Sequence, residues 1–88
     1  MKNRSRTELA SHILEAANGG ATKTKIMYKA YLSYAQLKEY LAVLIENGLM
    51  ARDVDGDLYR TTSKGIKFLE TSRKLGGLLE ASPQQKRV

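Results

Sequence analysis

The sequence predicts a mainly α domain with one two-stranded β-hairpin, in the order α-α-α-β-β-α. Three observations predict it. Two capping boxes, Ser5 with Glu8 and Ser33 with Gln36, each open a stretch whose apolar residues recur at helical spacing. An Asp-Gly pair at 55 and 56 separates two short segments holding the Val, Tyr and Thr expected in strands. A last amphipathic stretch follows the cluster Thr61, Thr62, Ser63. Eighty-eight residues support one core only, so the expectation is a single domain over 1–82, its final helix covering about 62–81, with a flexible basic tail at 83–88.

The elements follow in order. After Ser5, the residues Leu9, Ile13, Leu14 and Ala17 share one face, and "NGG" at 18–20 tolerates a left-handed termination, so the first helix covers about 6–18. Thr22 caps a short second helix, "KTKIMYKA", whose apolar pair Ile26 and Met27 needs cover on one face and which ends near Ala30. About three residues later the Ser33–Gln36 box opens the strongest helix, with Leu37, Leu41, Leu44 and Ile45 as its apolar repeat and Gly48 at its C-terminal cap. Two helices joined by so short a turn make a helix-turn-helix. Residues 49–62 read as the ribbon, turning at Asp55-Gly56.

The closing helix carries two apolar stripes. Ile66 and Leu69 suit the domain's own core, whereas Phe68, Leu75, Leu78 and Leu79 form a second stripe that one small domain would struggle to bury. The second stripe points to a partner helix, hence a homodimer, although Gly76 and Gly77 oppose it because each costs on the order of 1 kcal/mol inside a helix. With no Cys, neither disulfides nor thiolate-bound zinc can stabilise so small a chain, which leaves oligomerisation.

The acidic run "DVDGD" at 53–57 raises the question of a bound cation. Counted from Asp53, an EF-hand loop would place Leu58 at the position that needs glycine and Lys64 at the position that needs a bidentate Glu. Lysine cannot ligate calcium, so the run is read as a turn, with no metal and no cofactor expected.

Fifteen Lys and Arg against nine Asp and Glu give a formal charge of +6, which favours a polyanionic partner, nucleic acid first. No stretch approaches the ~20 apolar residues of a membrane helix, and "MKNRSRTELASHIL" lacks the apolar run of a signal peptide. The expectation is a cytoplasmic, nucleoid-associated protein with no membrane and no small-molecule ligand.

The words "LSYAQLKEYLAVLIENGLM" and "YRTTSKGIKFLE" resemble the small archaeal winged helix-turn-helix DNA-binding proteins known from Sulfolobus, the ten-a family, and related archaeal regulators. The likeness covers residues 6 to about 75. It implies double-stranded DNA binding by a homodimer joined through C-terminal helices, in a transcriptional regulator or a chromatin-associated protein. A departure is the final helix, which is long in that family and here is short and interrupted by Gly76 and Gly77.

With Leu37, Leu41 and Leu44 turned inward, Ala35, Gln36, Lys38, Glu39, Ala42 and Val43 face outward or to the flanks of the third helix. In a helix-turn-helix the start of that helix enters the major groove. Gln36 is then a candidate for adenine, Lys38 for guanine or phosphate, and Ser33 and Tyr34 for phosphate beside the helix start. Ser33 and Gln36 have a competing use in capping each other, Tyr34 in packing on the second helix, and Lys38 in solvation. Lys23, Lys25 and Lys29 around the second helix, with Arg52 and Arg60 on the ribbon, are candidates for phosphate contacts. The wing tip, with Asp53, Asp55 and Asp57, should stay clear of the duplex, while the tails "MKNRSR" and "QQKRV" add nonspecific attraction or solubility.

Catalysis is not expected from a chain with no Cys, one His and scattered carboxylates. His12 reads as partly buried packing. Tyr28, Tyr31, Tyr34, Tyr40 and Tyr59 could stack on single strands, but their placement makes most of them core or core-edge residues. The competing function is a protein-interaction module without DNA binding, suited to the acidic wing tip and the C-terminal leucines.

Overall fold

The computed structural model describes the backbone of residues 5–53 and 55–85, and the side chains among them up to Leu75. Four helices and a small sheet follow one another: α1 (Arg6–Ala17), β1 (Ala21–Thr22), α2 (Lys23–Ala30), α3 (Tyr34–Glu46), β2 (Met50–Arg52), β3 (Leu58–Thr61) and α4 (Ser63–Gln85). The helix starts are where the capping residues put them. Ser5 Oγ accepts from Glu8 N–H at 3.0 Å and Glu8 returns the bond to Ser5 N–H, satisfying two donors that the first turn would leave bare. The same exchange links Ser33 and Gln36, and Thr22 Oγ1 accepts from Lys25 N–H.

The core lies between α1, α2, α3 and the sheet. Ile13, Leu14, Ile26, Leu37 and Met50 are fully enclosed, and Ala17, Ala30, Leu41, Leu44, Tyr59 and Leu69 close around them. Ile45, expected in the apolar repeat of α3, is exposed instead. It directly follows Leu44, and a step of 100° carries it off the buried stripe. The hydroxyl of Thr61 is buried but satisfied, donating to the Leu14 carbonyl at 2.6 Å and so tying β3 to α1.

The sheet has three strands, in the order β1-β3-β2, not the two of the expected ribbon. Ala21 pairs with Tyr59 and Thr22 with Leu58, so the two residues before α2 add an edge to the hairpin. A strand of two residues has no period to read in a sequence. The hairpin register, Met50 with Thr61 through Arg52 with Tyr59, centres on Asp55-Gly56 as expected. The turn is wider than two residues, however: the pairing closes with Asp53 N–H on the Leu58 carbonyl, and Gly56 N–H bonds back to Asp53.

Helix α4 passes through Gly76 and Gly77 without a break and reaches Gln85, beyond the expected end near 81. Pro83 lies two residues before the helix end, where the bond it cannot make and the crowding of its ring disturb little further helix. Its start is docked tightly. Thr62 Oγ1 donates to the Gly48 carbonyl and accepts from Gly65 N–H, Thr62 N–H reaches Leu49, and Lys64 Nζ reaches the Asn47 carbonyl. Farther on, Ser11 meets Ser72 and Glu15 meets Arg73, joining α4 to α1. Leu69 is buried, as expected, but Ile66 is only half-covered and Phe68, not Ile66, packs against the core.

Candidate nucleic-acid interface

Between α2 and α3 lie three residues, each with a separate task. Tyr31 adopts a left-handed conformation (φ 56°, ψ 52°) that closes α2. Leu32 turns inward and is buried, its N–H bonded to the Met27 carbonyl. Ser33 caps α3. This is the helix-turn-helix that the spacing predicted, held by one buried anchor and one capping box.

On α3, Tyr34, Ala35, Gln36, Lys38, Glu39, Ala42 and Val43 are all exposed, and the first five of these line a shallow depression at the helix start. Tyr34 is half-exposed, with Lys23 of α2 at 5.5 Å and Lys38 at 5.8 Å from its ring centroid. The ring therefore gathers two cations at the mouth of the depression. Because β1 pairs with β3, the start of α2 lies beside the hairpin, and Thr22, Lys23, Thr24, Arg52, Gly56, Asp57 and Tyr59 share one cleft. Arg52 is held there, its guanidinium 5.8 Å from the Tyr59 ring and its Nε donating to the Gly56 carbonyl. Arg52, Lys23, Tyr34 and Lys38 thus form one band beside the start of α3.

Other candidate residues stand elsewhere. Side chains alternate across a strand, and Arg60 is offset by one residue from Tyr59, which faces the core with Arg52 as its cross-strand neighbour. Arg60 therefore leaves the opposite face from Arg52, where it forms a bidentate ion pair with Asp53 at 2.9 and 3.0 Å. Lys25 and Lys29, one helical turn apart, lie on the solvent side of α2. The acceptor oxygen of Gln36 is engaged by Ser33 N–H at 3.2 Å. Bidentate reading of adenine needs that oxygen as well as the amide N–H, so it requires the capping box to open.

Of the residues expected at a dimer contact, Phe68 lines a cleft within the domain, with Ala10, Tyr40, Val43, Leu44 and Leu49, while Leu75 is 55% exposed. The side chains of Leu78 and Leu79 lie outside the described residues. Among the described residues no three His, Asp or Glu side chains gather where they could hold a metal ion, and no helix is long and apolar enough to cross a membrane.

The tyrosines require a correction. Tyr59 is buried and Tyr40 half-buried, but Tyr28, Tyr31 and Tyr34 are 82%, 83% and 53% exposed. Helix α2 has only eight residues and buries a narrow stripe, Ile26 and Ala30, which leaves Tyr28 on the far side. Tyr31 lies past the helix end, where Leu32 takes the core position. Counting around α2 from Ile26 would have exposed Tyr28; nothing local to Tyr31 signals its conformation. His12 is half-buried, as expected.

A helix-turn-helix whose second helix is exposed at its start and flanked by a β-hairpin defines a winged helix-turn-helix domain. The winged helix-turn-helix family matches this chain over residues 3–80, and the chain belongs to it. Among solved structures it is similar to Sso10a-2, described as a DNA-binding protein from Sulfolobus solfataricus, with a TM-score of 0.78 at 22% identity over 89% of this chain and 84% of that one. No curated protein sequence is similar enough to count as a match.

Proposed function

We propose that the protein binds double-stranded DNA, inserting the start of α3 into the major groove, as a homodimer joined through α4, in an archaeal transcriptional regulator or chromatin-associated protein. The observation that carries the reading is the band beside the exposed start of α3, in which Lys23 and Lys38 flank Tyr34 and Arg52 shares a cleft with Lys23. Cations in this position meet the phosphates that border a groove, while small outward residues such as Ala35 and Ala42 let the helix approach the bases. Few side chains on α3 can read base edges, and Gln36 is engaged in capping. Affinity then comes mainly from phosphates and sequence preference is modest.

Family membership and the fold shared with a DNA-binding protein support the same reading. The partner helix is supported by α4 itself, which runs on past Arg73, the last described residue bonded to α1, with Leu75 exposed. Titrating duplex DNA at several salt concentrations tests the proposal. Log affinity should fall with log salt at about 0.9 per phosphate neutralised. The substitutions Lys23→Gln, Lys38→Gln and Arg52→Gln together should flatten that slope by about 3 for each copy that engages the duplex, about 5 for the dimer, and an unchanged slope in the folded triple variant would refute the assignment.

A further inference from the structure

The far side of α2 holds a second surface that the duplex reading does not use. Tyr28 and Tyr31, both more than four-fifths exposed, stand over a groove floored by Ala16, Met27 and Leu32 and open beside Lys29. Two large rings lining one groove make a contiguous apolar patch, and such patches mark interaction sites. The backbone adds an independent observation, for Tyr31 sits at φ 56°, the one positive φ among the described residues that does not belong to glycine. A bulky side chain is disfavoured there, and glycine or asparagine would close the helix with less strain. The ring is therefore held out at a cost to the fold.

Charge identifies the occupant. From residue 16 to residue 38 the chain has four lysines, Lys23, Lys25, Lys29 and Lys38, and no Asp or Glu. Lys25 precedes Tyr28 by three positions and so borders its ring on the helix surface, while Lys29 lines the groove with both rings. The one carboxylate lining the groove, Glu15, is occupied by Arg73 at 2.7 Å. Exposed rings spaced along a predominantly cationic surface match unpaired bases strung on a phosphate chain, because every base offers a π-face to stack while the lysines follow the backbone. A paired duplex keeps its bases stacked on one another and cannot use such rings.

We infer that Tyr28 and Tyr31, with Lys25 and Lys29, form a stacking platform for single-stranded nucleic acid. This surface lies apart from the band of Lys23, Lys38 and Arg52, so each can fail alone. Fluorescence anisotropy with 20-nucleotide oligothymidylate, 20-nucleotide oligouridylate and a 20-base-pair duplex at matched salt tests it, and the tighter of the two single-strand arms distinguishes DNA from RNA. The chain has no Trp, so quenching of tyrosine emission reports ring contact directly. Tyr28→Ala with Tyr31→Ala should weaken single-strand binding at least about tenfold, the loss typical of removing a stacking ring. Tyr28→Phe with Tyr31→Phe should stay within twofold of the parent, since the ring is kept, and duplex affinity should change less than twofold in both variants. Circular dichroism and thermal melting verify folding, which truncation at two exposed sites leaves intact. Failure of the parent protein to bind either single strand, an alanine variant with undiminished single-strand affinity, or equal loss toward the duplex would each overturn the inference.

Discussion

Helices α2 and α3 close with the same hydrogen-bond pattern but different residues. Leu32 N–H bonds the Met27 carbonyl five residues back, and Leu49 N–H bonds the Leu44 carbonyl in the same way. The left-handed position is Gly48 in one and Tyr31 in the other. A non-glycine residue in that conformation costs about 1–2 kcal/mol, while a new glycine loosens the unfolded chain by about 0.4–1 kcal/mol. Tyr31→Gly should therefore stabilise the domain by about 0.5–1 kcal/mol net and raise its melting temperature by several degrees. Calorimetry checks this, and a lowered melting temperature would mean that the ring contributes more to the fold than its exposure implies. The two hairpin arginines offer a second contrast. Arg52 shares a cleft with Lys23, whereas Arg60 leaves the other face paired to Asp53. Arg52→Gln should weaken duplex binding severalfold and Arg60→Gln by less than twofold at the same salt. The ion pair does not itself hold Arg60 away, since an exposed pair contributes at most about 1 kcal/mol; its strand face does.

At the scale of elements, Gly65 tests how α4 is seated. A Cβ added there would overlap the Leu49 carbonyl oxygen and the Thr61 methyl, so the first turn of α4 touches the residue before β2 and the end of β3 where no side chain fits. Gly65→Ala would gain about 1 kcal/mol of helix propensity at an open site, but here the clash should prevail and destabilise the fold by about 1–3 kcal/mol. Urea denaturation measures it; a stabilised variant would mean that α4 shifts freely on the hairpin. The sequence marks this junction as "TSKG" without giving its reason, because the close approach joins residues distant along the chain. Local signals were legible throughout: both capping boxes, the Thr22 cap, the turn of three residues and the hairpin register all depend on neighbours within four positions or on a short alternating pattern. What stayed hidden depends on tertiary packing. The strand at Ala21–Thr22 exists only because β3 lies beside it, and the sharing of one cleft by Lys23 and Arg52 follows from that pairing. Phe68 rather than Ile66 packs against the core because it meets Tyr40, Val43, Leu44 and Leu49, residues distant along the chain that apolar spacing alone does not bring to it.

For the whole molecule, charge and assembly meet in one measurable quantity. A single copy offers three cations, Lys23, Lys38 and Arg52, in the band beside the start of α3, which corresponds to a salt slope of about 3 if each neutralises one phosphate. Two copies joined through α4 and docked on one duplex would give about 5. From Lys74 to Gln85 the helix continues for roughly 18 Å at 1.5 Å per residue, and Leu75 at its beginning is more than half exposed. Leu75→Glu should consequently leave each domain folded, because no enclosed side chain is altered, while a charge within an apolar helix seam opposes pairing. Sedimentation at micromolar concentration should show a dimer for the parent protein and a monomer for this variant, and the slope should fall from about 5 toward 3 in parallel. A monomeric parent protein would exclude the α4 contact at these concentrations. A monomeric variant that kept the steeper slope would instead place the additional phosphate contacts within one copy.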